Sequence, residues 1–364
     1  MMKQYFEIKN QYKDCILFFR LGDFYEMFFD DAKIASKELE LALTGRDCGQ
    51  EERAPMCGVP YHSCDAYIAR MVEKGYKIAI CEQTEDPAQA KGLVRREITR
   101  IITPGTVIED SMLEEGRNTY LAALFVGDNK SGLCFVDSST GELNLTEIDD
   151  TPKKLSERIN SQLGRFRPSE VLTGGEVPSD ITDYIVQKLG CRCEHADDRL
   201  FDAYNAKCRV EDHFNRGVGD LSIPGDSALR ALGAALEYLY ATQRTGLGGI
   251  NSVNVYSDAQ YMRLDIATRR NLELVETMRG REQRGSLLHV LDRTETAMGK
   301  RLIRSYIEQP LINPAQITSR QNGVEELYSD SVLRGEIGAA LSGIYDLERL
   351  MTRVLHGTAN PREI

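Results

Sequence analysis

The residues with the most chemical content lie in one short run, Leu21-Gly22-Asp23-Phe24-Tyr25-Glu26-Met27-Phe28. Gly22-Asp23 is a turn signal. If Phe24 to Phe29 is extended, alternate side chains share a face. Phe24 and Glu26 then project together, while Tyr25, Met27 and Phe29 turn the other way, toward a core. The same run is also a candidate helix start. An aromatic ring and a carboxylate presented side by side can act on duplex DNA. The ring can enter the minor groove, unstack a base step and kink the duplex, at least cost where a base is already mismatched. A kinkable site is itself a readout of deformability. The carboxylate can accept a hydrogen bond from a base, and it repels the phosphates of intact duplex. In most proteins, a Phe and a Glu at this spacing are simply a core and a surface residue.

Other chemistry is thinner. Asp137 ends an apolar run and precedes Ser138-Ser139-Thr140-Gly141-Glu142. Ribonuclease-H-like nucleases place a first metal carboxylate in such a pattern, but they need several carboxylates converging on two cations. A structure-specific nuclease is therefore one rival reading, and a protein-interaction module without DNA binding is another. Cys57, His62 and Cys64 lie close together, as do Cys191, Cys193 and His195. Neither group has the paired spacing of a zinc site, so buried strand cysteines and no metal are expected. A phosphate loop would read G-x-x-x-x-G-K-[ST]. Gly299-Lys300 is followed by Arg301, and Thr294 stands where the first glycine belongs. No nucleotide cofactor and no enzymatic activity are expected of the chain itself.

The charge balance, −11 over 364 residues, argues against nucleic acid as a blanket partner and leaves local basic clusters to carry any phosphate contact. Two clusters stand out: Lys91, Arg95, Arg96 and Arg100, and Arg269, Arg270, Arg279, Arg281 and Arg284. Nine cysteines without a disulfide framework fit a reduced, cytoplasmic protein. No apolar stretch is long enough for a membrane span, and the N-terminus has no apolar signal region.

The elements that must position these residues read as mixed α/β and then all α. Strands are expected at Ile16–Phe19, Lys77–Cys81 and Ile98–Ile102. A helix capped by Asp30 should run to about Leu41, and one capped by Ser63 should bury Ile68, Met71 and Val72. Gly45–Arg53 reads as a polar loop. A second α/β region has strands at Leu121–Val126, Gly132–Val136, Glu142–Ile148, Glu170–Leu172 and Cys191–Glu194. Its helices are Pro152–Leu163, Ser179–Leu189 and Ala228–Thr242. Helical spacing follows over Leu264–Met278, Leu287–Leu291, Ala297–Ile307, Pro314–Tyr328, Val332–Leu341 and Asp346–Leu355. The division expected is 1–103, a linker over 104–117, then 118–250 and 251–364. The chain stops at Thr358-Ala359-Asn360-Pro361-Arg362-Glu363-Ile364, soon after the helical series, which reads as a fragment end.

The run Arg20-Leu21-Gly22-Asp23-Phe24-Tyr25-Glu26-Met27-Phe28 closely resembles the mismatch-recognition segment of the MutS family. The resemblance continues through Ala54-Pro55-Met56-Cys57-Gly58-Val59-Pro60-Tyr61-His62-Ser63, Ala79-Ile80-Cys81-Glu82-Gln83 and Arg100-Ile101-Ile102-Thr103-Pro104-Gly105-Thr106. Val136-Asp137 with Thr140-Gly141-Glu142 is similar to the family's connector domain. Leu264-Asp265 with Thr268 to Leu274, and Leu291 to Leu302, resemble the start of its lever domain. The resemblance implies a small mixed α/β mismatch-binding domain, a ribonuclease-H-like connector without nuclease chemistry, and the first part of a helical lever. It implies that Phe24 is the intercalating wedge and Glu26 its base-contacting partner, and it places Arg46, Tyr61 and His62 near DNA. Arg46 and Arg96 would hold phosphates and fix register. In a full-length protein it further implies ATP and Mg in a C-terminal ATPase absent here, a clamp, a homodimer, a MutL-type partner and a nucleoid-associated, cytoplasmic location.

Overall fold

The computed structural model describes residues 1–48, 53–85, 94–244, 246–359 and 361–362. Lys91, part of the expected polar loop (49–52) and residues 360 and 363–364 of the terminal stretch lie outside the described residues.

Contacts divide the chain into two compact units, Met1–Met112 with Tyr238–Leu247, and Leu113–Glu237 with Gly248–Ile364. In the first, the elements are α1 (Met2–Lys9), β1 (Cys15–Leu21), β2 (Phe24–Phe28), α2 (Phe29–Leu39), β3 (Thr44–Arg46), β4 (Ala54–Pro60), α3 (Cys64–Glu73), β5 (Lys77–Gln83) and β6 (Arg96–Ile102). They form a six-stranded sheet in the order β3-β4-β2-β1-β5-β6. β1 and β5 pair in parallel at its centre, and both are apolar on both faces, as a doubly covered strand must be. On one face the α1 side chain Tyr5 meets Leu17, Phe19, Phe28, Ala79 and Ile98. α2 packs against β4 and β2, and α3 against β5. A buried carboxylate secures this packing: Asp31 accepts the Leu17 amide at 3.0 Å, the Lys9 ammonium at 2.9 Å and the Tyr5 hydroxyl at 3.3 Å.

Three local expectations are corrected here. Asp30 does not cap α2; the helix starts at Phe29, and the Asp30 carboxylate pairs with Lys33 one turn on. Phe29 does not share the face of Tyr25 and Met27. Its φ of +53° turns the chain into the helix, and its ring lies 4.9 Å from Phe6 on the α1 side. Gly45 and Arg46, expected at the start of a loop, instead end β3, which pairs antiparallel with β4 so that Arg46 is opposite Ala54.

The second unit is built on β7 (Leu121–Val126), β8 (Lys130–Asp137), β9 (Glu142–Asp149), β10 (Glu170–Gly175), β11 (Arg192–His195) and β12 (Asn254–Val255), in the order β11-β10-β7-β8-β9-β12. β7, β8 and β9 form an antiparallel meander, and β10 and β11 extend it in parallel, the mixed α/β sheet expected for this region. α4 (Pro152–Phe166) lies over β8 and β9, where the Phe166 ring stacks on Phe135 at 4.0 Å. α5 (Ser179–Asp183) runs on as a wider helical turn to Leu189. α6 (Ala203–Phe214), which the sequence reading passed over, is capped by Asp202 on the Asn205 amide. α7 (Asp226–Gln243) follows.

The remainder is helical: α8 (Ile266–Asn271), α9 (Leu287–Leu291), α10 (Ala297–Glu308), α11 (Pro314–Ser329), α12 (Ser331–Leu341) and α13 (Leu347–Leu355). The single helix expected over Leu264–Met278 is only α8, because the chain turns at Glu273, where φ is +49°. α11 and α12 bury no residue.

Candidate nucleic-acid interface

The turn between β1 and β2 brings the wedge candidate to the surface. Leu21 pairs with Phe24 across it, and Gly22 supplies the left-handed φ of +59° that the tight reversal needs. The side chains of β2 then alternate as expected. Phe24 is 46% exposed, whereas Tyr25 and Met27 are buried. Glu26 is half-buried on the Phe24 face. Opposite them on β4 stand Pro60 and Gly58. A Cβ at position 58 would come within 3.7 Å of the Phe24 ring and 3.5 Å of Glu26 Cγ. Both groups therefore sit together above Gly58, where an added Cβ would press on the Tyr25 carbonyl at 3.2 Å.

The next turn closes around the same point. The Tyr61 amide donates to the Asp23 carbonyl at 2.9 Å, so the β4–α3 turn is fastened to the wedge turn. Tyr61 and His62 are both exposed there, with their rings edge to face at 5.9 Å. Arg20 lies over the Tyr61 ring at 3.6 Å and reaches Glu82 at 3.6 Å. The Tyr25 hydroxyl also donates to Glu82. Burial and that carboxylate push the Tyr25 phenol well up, so it stays a neutral donor. Arg20 and Glu82 carry no local signal that marks them as functional. Here they brace the turn from behind.

Arg46 and Glu26 meet directly across β4, with Arg46 Nη1 2.5 Å from Glu26 Oε2. Glu26 Oε1 has no hydrogen-bond partner among the described residues. The wedge face thus carries one ring, one carboxylate oxygen open to a donor, and a cation that compensates the other oxygen.

Arg96 has a different place from the one expected. It is buried, at 8% exposure. Its Nε donates to the Arg20 carbonyl at 2.7 Å, and Nη1 donates to the Val94 carbonyl at 2.9 Å and to Gln4 at 3.2 Å. Its guanidinium lies over the Phe19 ring at 5.1 Å, and burial holds its pKa below the usual arginine value. Arg96 ties β6 to the end of β1; it does not face phosphate.

The rival site at Asp137 is spent on local structure. The carboxylate is fully buried and accepts the Ser139 amide at 2.9 Å, the Ser139 hydroxyl at 2.7 Å and the Thr119 amide at 3.2 Å. This is the pattern of a turn-forming aspartate. Among the described residues, no three His, Cys, Asp or Glu side chains gather as a metal site would require. Cys57 and Cys64 are buried, and burial pushes their thiols up to about 11 and about 12. His62 is exposed. No helix among the described residues is long and apolar enough to cross a membrane.

Comparison with known proteins is consistent along the whole chain. Sequence models of MutS domain I, MutS domain II and MutS domain III match residues 1–111, 119–251 and 267–364. Curated relatives carry the name DNA mismatch repair protein MutS. One from Acetivibrio thermocellus is 50% identical over 366 residues, one from Ruminiclostridium cellulolyticum is 48% identical, and one from Clostridioides difficile 45%. Each alignment covers all of this chain but only 42%, 42% and 38% of the relative. On the three domain matches and these identities, the chain belongs to the MutS family.

Proposed function

We propose that this chain reads mismatched bases and small insertion–deletion loops in duplex DNA, with Phe24 entering a weak base step, the duplex kinking around it, and Glu26 accepting a hydrogen bond from the displaced base. The observation that carries the reading is the exposure of Phe24 beside Glu26. The ring is held out of a core that takes its strand neighbours Tyr25 and Phe28, on a turn braced by Arg20, Glu82 and the Tyr61 amide. Unstacking costs least where pairing is already defective, so such a wedge discriminates by deformability. Tyr61 and His62 flank the wedge and serve as neighbouring contacts. Arg46 reaches phosphate from the sheet edge and keeps Glu26 compensated. The name borne by the relatives supports the same reading.

In the longer proteins of the family, binding of this kind would be coupled to ATP and Mg in a further domain, to a homodimer and to a MutL-type partner in the cytoplasm. Residues 1–103, 118–250 and 251–364 would be the reading, connector and lever parts. Fluorescence anisotropy with a G·T duplex and its matched control at low salt tests the proposal. Tighter binding to the mismatch supports it, and equal binding to both counts against it for this chain.

The Glu26–Arg46 pair makes a second test. Glu26→Ala removes both a base contact and a repulsion, so discrimination should fall more than affinity does. Arg46→Ala uncovers the carboxylate and should weaken matched and mismatched binding together, by several-fold for one phosphate-facing charge near the surface. In the double variant much of that loss should return. Additive losses in the same anisotropy assay would mean that the ion pair plays no part in binding.

A further inference from the structure

The mismatch reading leaves the cations of the second unit unused. Arg117, Arg167, Lys188, Arg270 and Arg281 line a single cavity of about 250 Å³ that holds one carboxylate, Glu276. Arg167 takes Glu276 at 2.9 Å, and Arg117 is 4.0 Å from the exposed Glu114. Among the described residues, Lys188, Arg270 and Arg281 have neither an ion pair nor a side-chain hydrogen bond. Five cations against one carboxylate stand out in a chain whose net charge is −11.

The backbone holds this arrangement. Arg167 follows α4 at φ +46°, and Arg281 sits at φ +52°. Behind the cavity, Arg269 is fixed to the Leu264 and Glu308 carbonyls at 3.0 and 2.7 Å, and Leu274 and Val275 are core residues. The chain thus brings the Cα atoms of these residues to one concavity. Like charges gathered in a concavity raise the local potential and concentrate anions there. Guanidinium forks match phosphate oxygens two at a time. The volume lies below the roughly 300–1,000 Å³ of cavities that enclose a whole drug-sized ligand. It suits a few condensed phosphate groups.

We propose that this cavity is an oligophosphate site, taking pyrophosphate, tripolyphosphate or the phosphate tail of a nucleotide whose base stays outside. The proposal is independent of the wedge: Phe24→Ala should leave it unchanged. Isothermal titration calorimetry of the full chain with sodium tripolyphosphate tests it, with sulfate and ATP compared at matched ionic strength. Tripolyphosphate should bind one to one and at least about tenfold more tightly than sulfate. The double variant Arg270→Gln/Arg281→Gln should weaken it by about tenfold or more, while its unfolding midpoint without ligand stays that of the parent because both side chains are exposed. Lys188→Gln gives an independent weakening, and Lys37→Gln, in the first unit, gives none. ATP binding more tightly than tripolyphosphate supports the site with a nucleotide as its source; equal binding supports it with inorganic oligophosphate. Sulfate binding as tightly as tripolyphosphate, full affinity in the double variant, or displacement of tripolyphosphate by a short matched duplex would each overturn it.

Discussion

Phe24→Ala is expected to abolish the preference for a G·T duplex over its matched control while the chain keeps its circular dichroism and unfolding midpoint. The first half follows from what an inserted ring contributes. Stacking of a base on an aromatic side chain is worth about 1–3 kcal/mol, or roughly 5- to 150-fold in affinity. A wedge collects this only where the base step opens, so its loss should fall almost wholly on the mismatched duplex. The second half follows from position. Phe24 is 46% exposed and belongs to no buried cluster, whereas Phe19 and Phe28, close by in the same sheet, are fully buried. Phe19→Ala or Phe28→Ala would remove a core ring at about 3–5 kcal/mol, and neither change could be read as a binding effect. If Phe24→Ala keeps the parent's discrimination, the wedge assignment is wrong, and exposed Tyr61 becomes the next ring to test.

The parts of this molecule that could be read in advance are those whose signal is local. β1 and β5 are apolar runs with turns on either side, and α3 shows its buried stripe at Ile68, Met71 and Val72. The alternation from Phe24 to Met27 needs only the period of a strand. β4 carries no strand signal because Pro55, Gly58 and Pro60 break any two-residue pattern, and proline is a poor strand signal; β3, only Thr44–Arg46, is too short to show one. The turn at Glu273 escaped because a left-handed φ at a non-glycine residue leaves no mark in composition.

Arg96 is the more instructive error. Beside Arg95 and Arg100 it looks like part of a basic face. In β6, however, Arg96 and Ile98 are buried while Glu97 and Thr99 are exposed, so the strand period already assigned it to the interior. Clustering of like charges in sequence is a weaker guide to exposure here than the alternation of the strand. The Glu26–Arg46 pair had no local signal at all. It joins residues on β2 and β3 with β4 between them, and only the order of the sheet brings them together.

The helical region yields the largest effect on stability, at a pair that spacing could not reveal. Arg301 on α10 is buried to 5% side-chain exposure and forks onto Asp346, the N-cap of α13, with bonds of 2.6 and 2.8 Å. It also reaches Glu348 at 2.7 Å and the Glu115 carbonyl at 3.2 Å. Removing one partner of a buried pair strands the other and typically costs about 3–5 kcal/mol. Asp346→Ala should fall near the lower end of that range, because Glu348 still pairs, and it also loses the helix cap on the Arg349 amide. Asp346→Asn retains a capping oxygen and should cost less. Burial alone would raise the Asp346 carboxyl, but the Arg301 hydrogen bonds and charge outweigh it and hold the group below the ordinary aspartate range. A carboxylate shifted in that direction lends its stability fully above its unfolded pKa of about 3.9. That contribution fades as the pH falls through the lower folded value. The gap between parent and Asp346→Ala in urea midpoint should therefore be full at neutral pH and close in strong acid. A gap that is small at neutral pH, or that persists unchanged below the folded pKa, would mean that α10 and α13 are held by apolar packing and not by this pair.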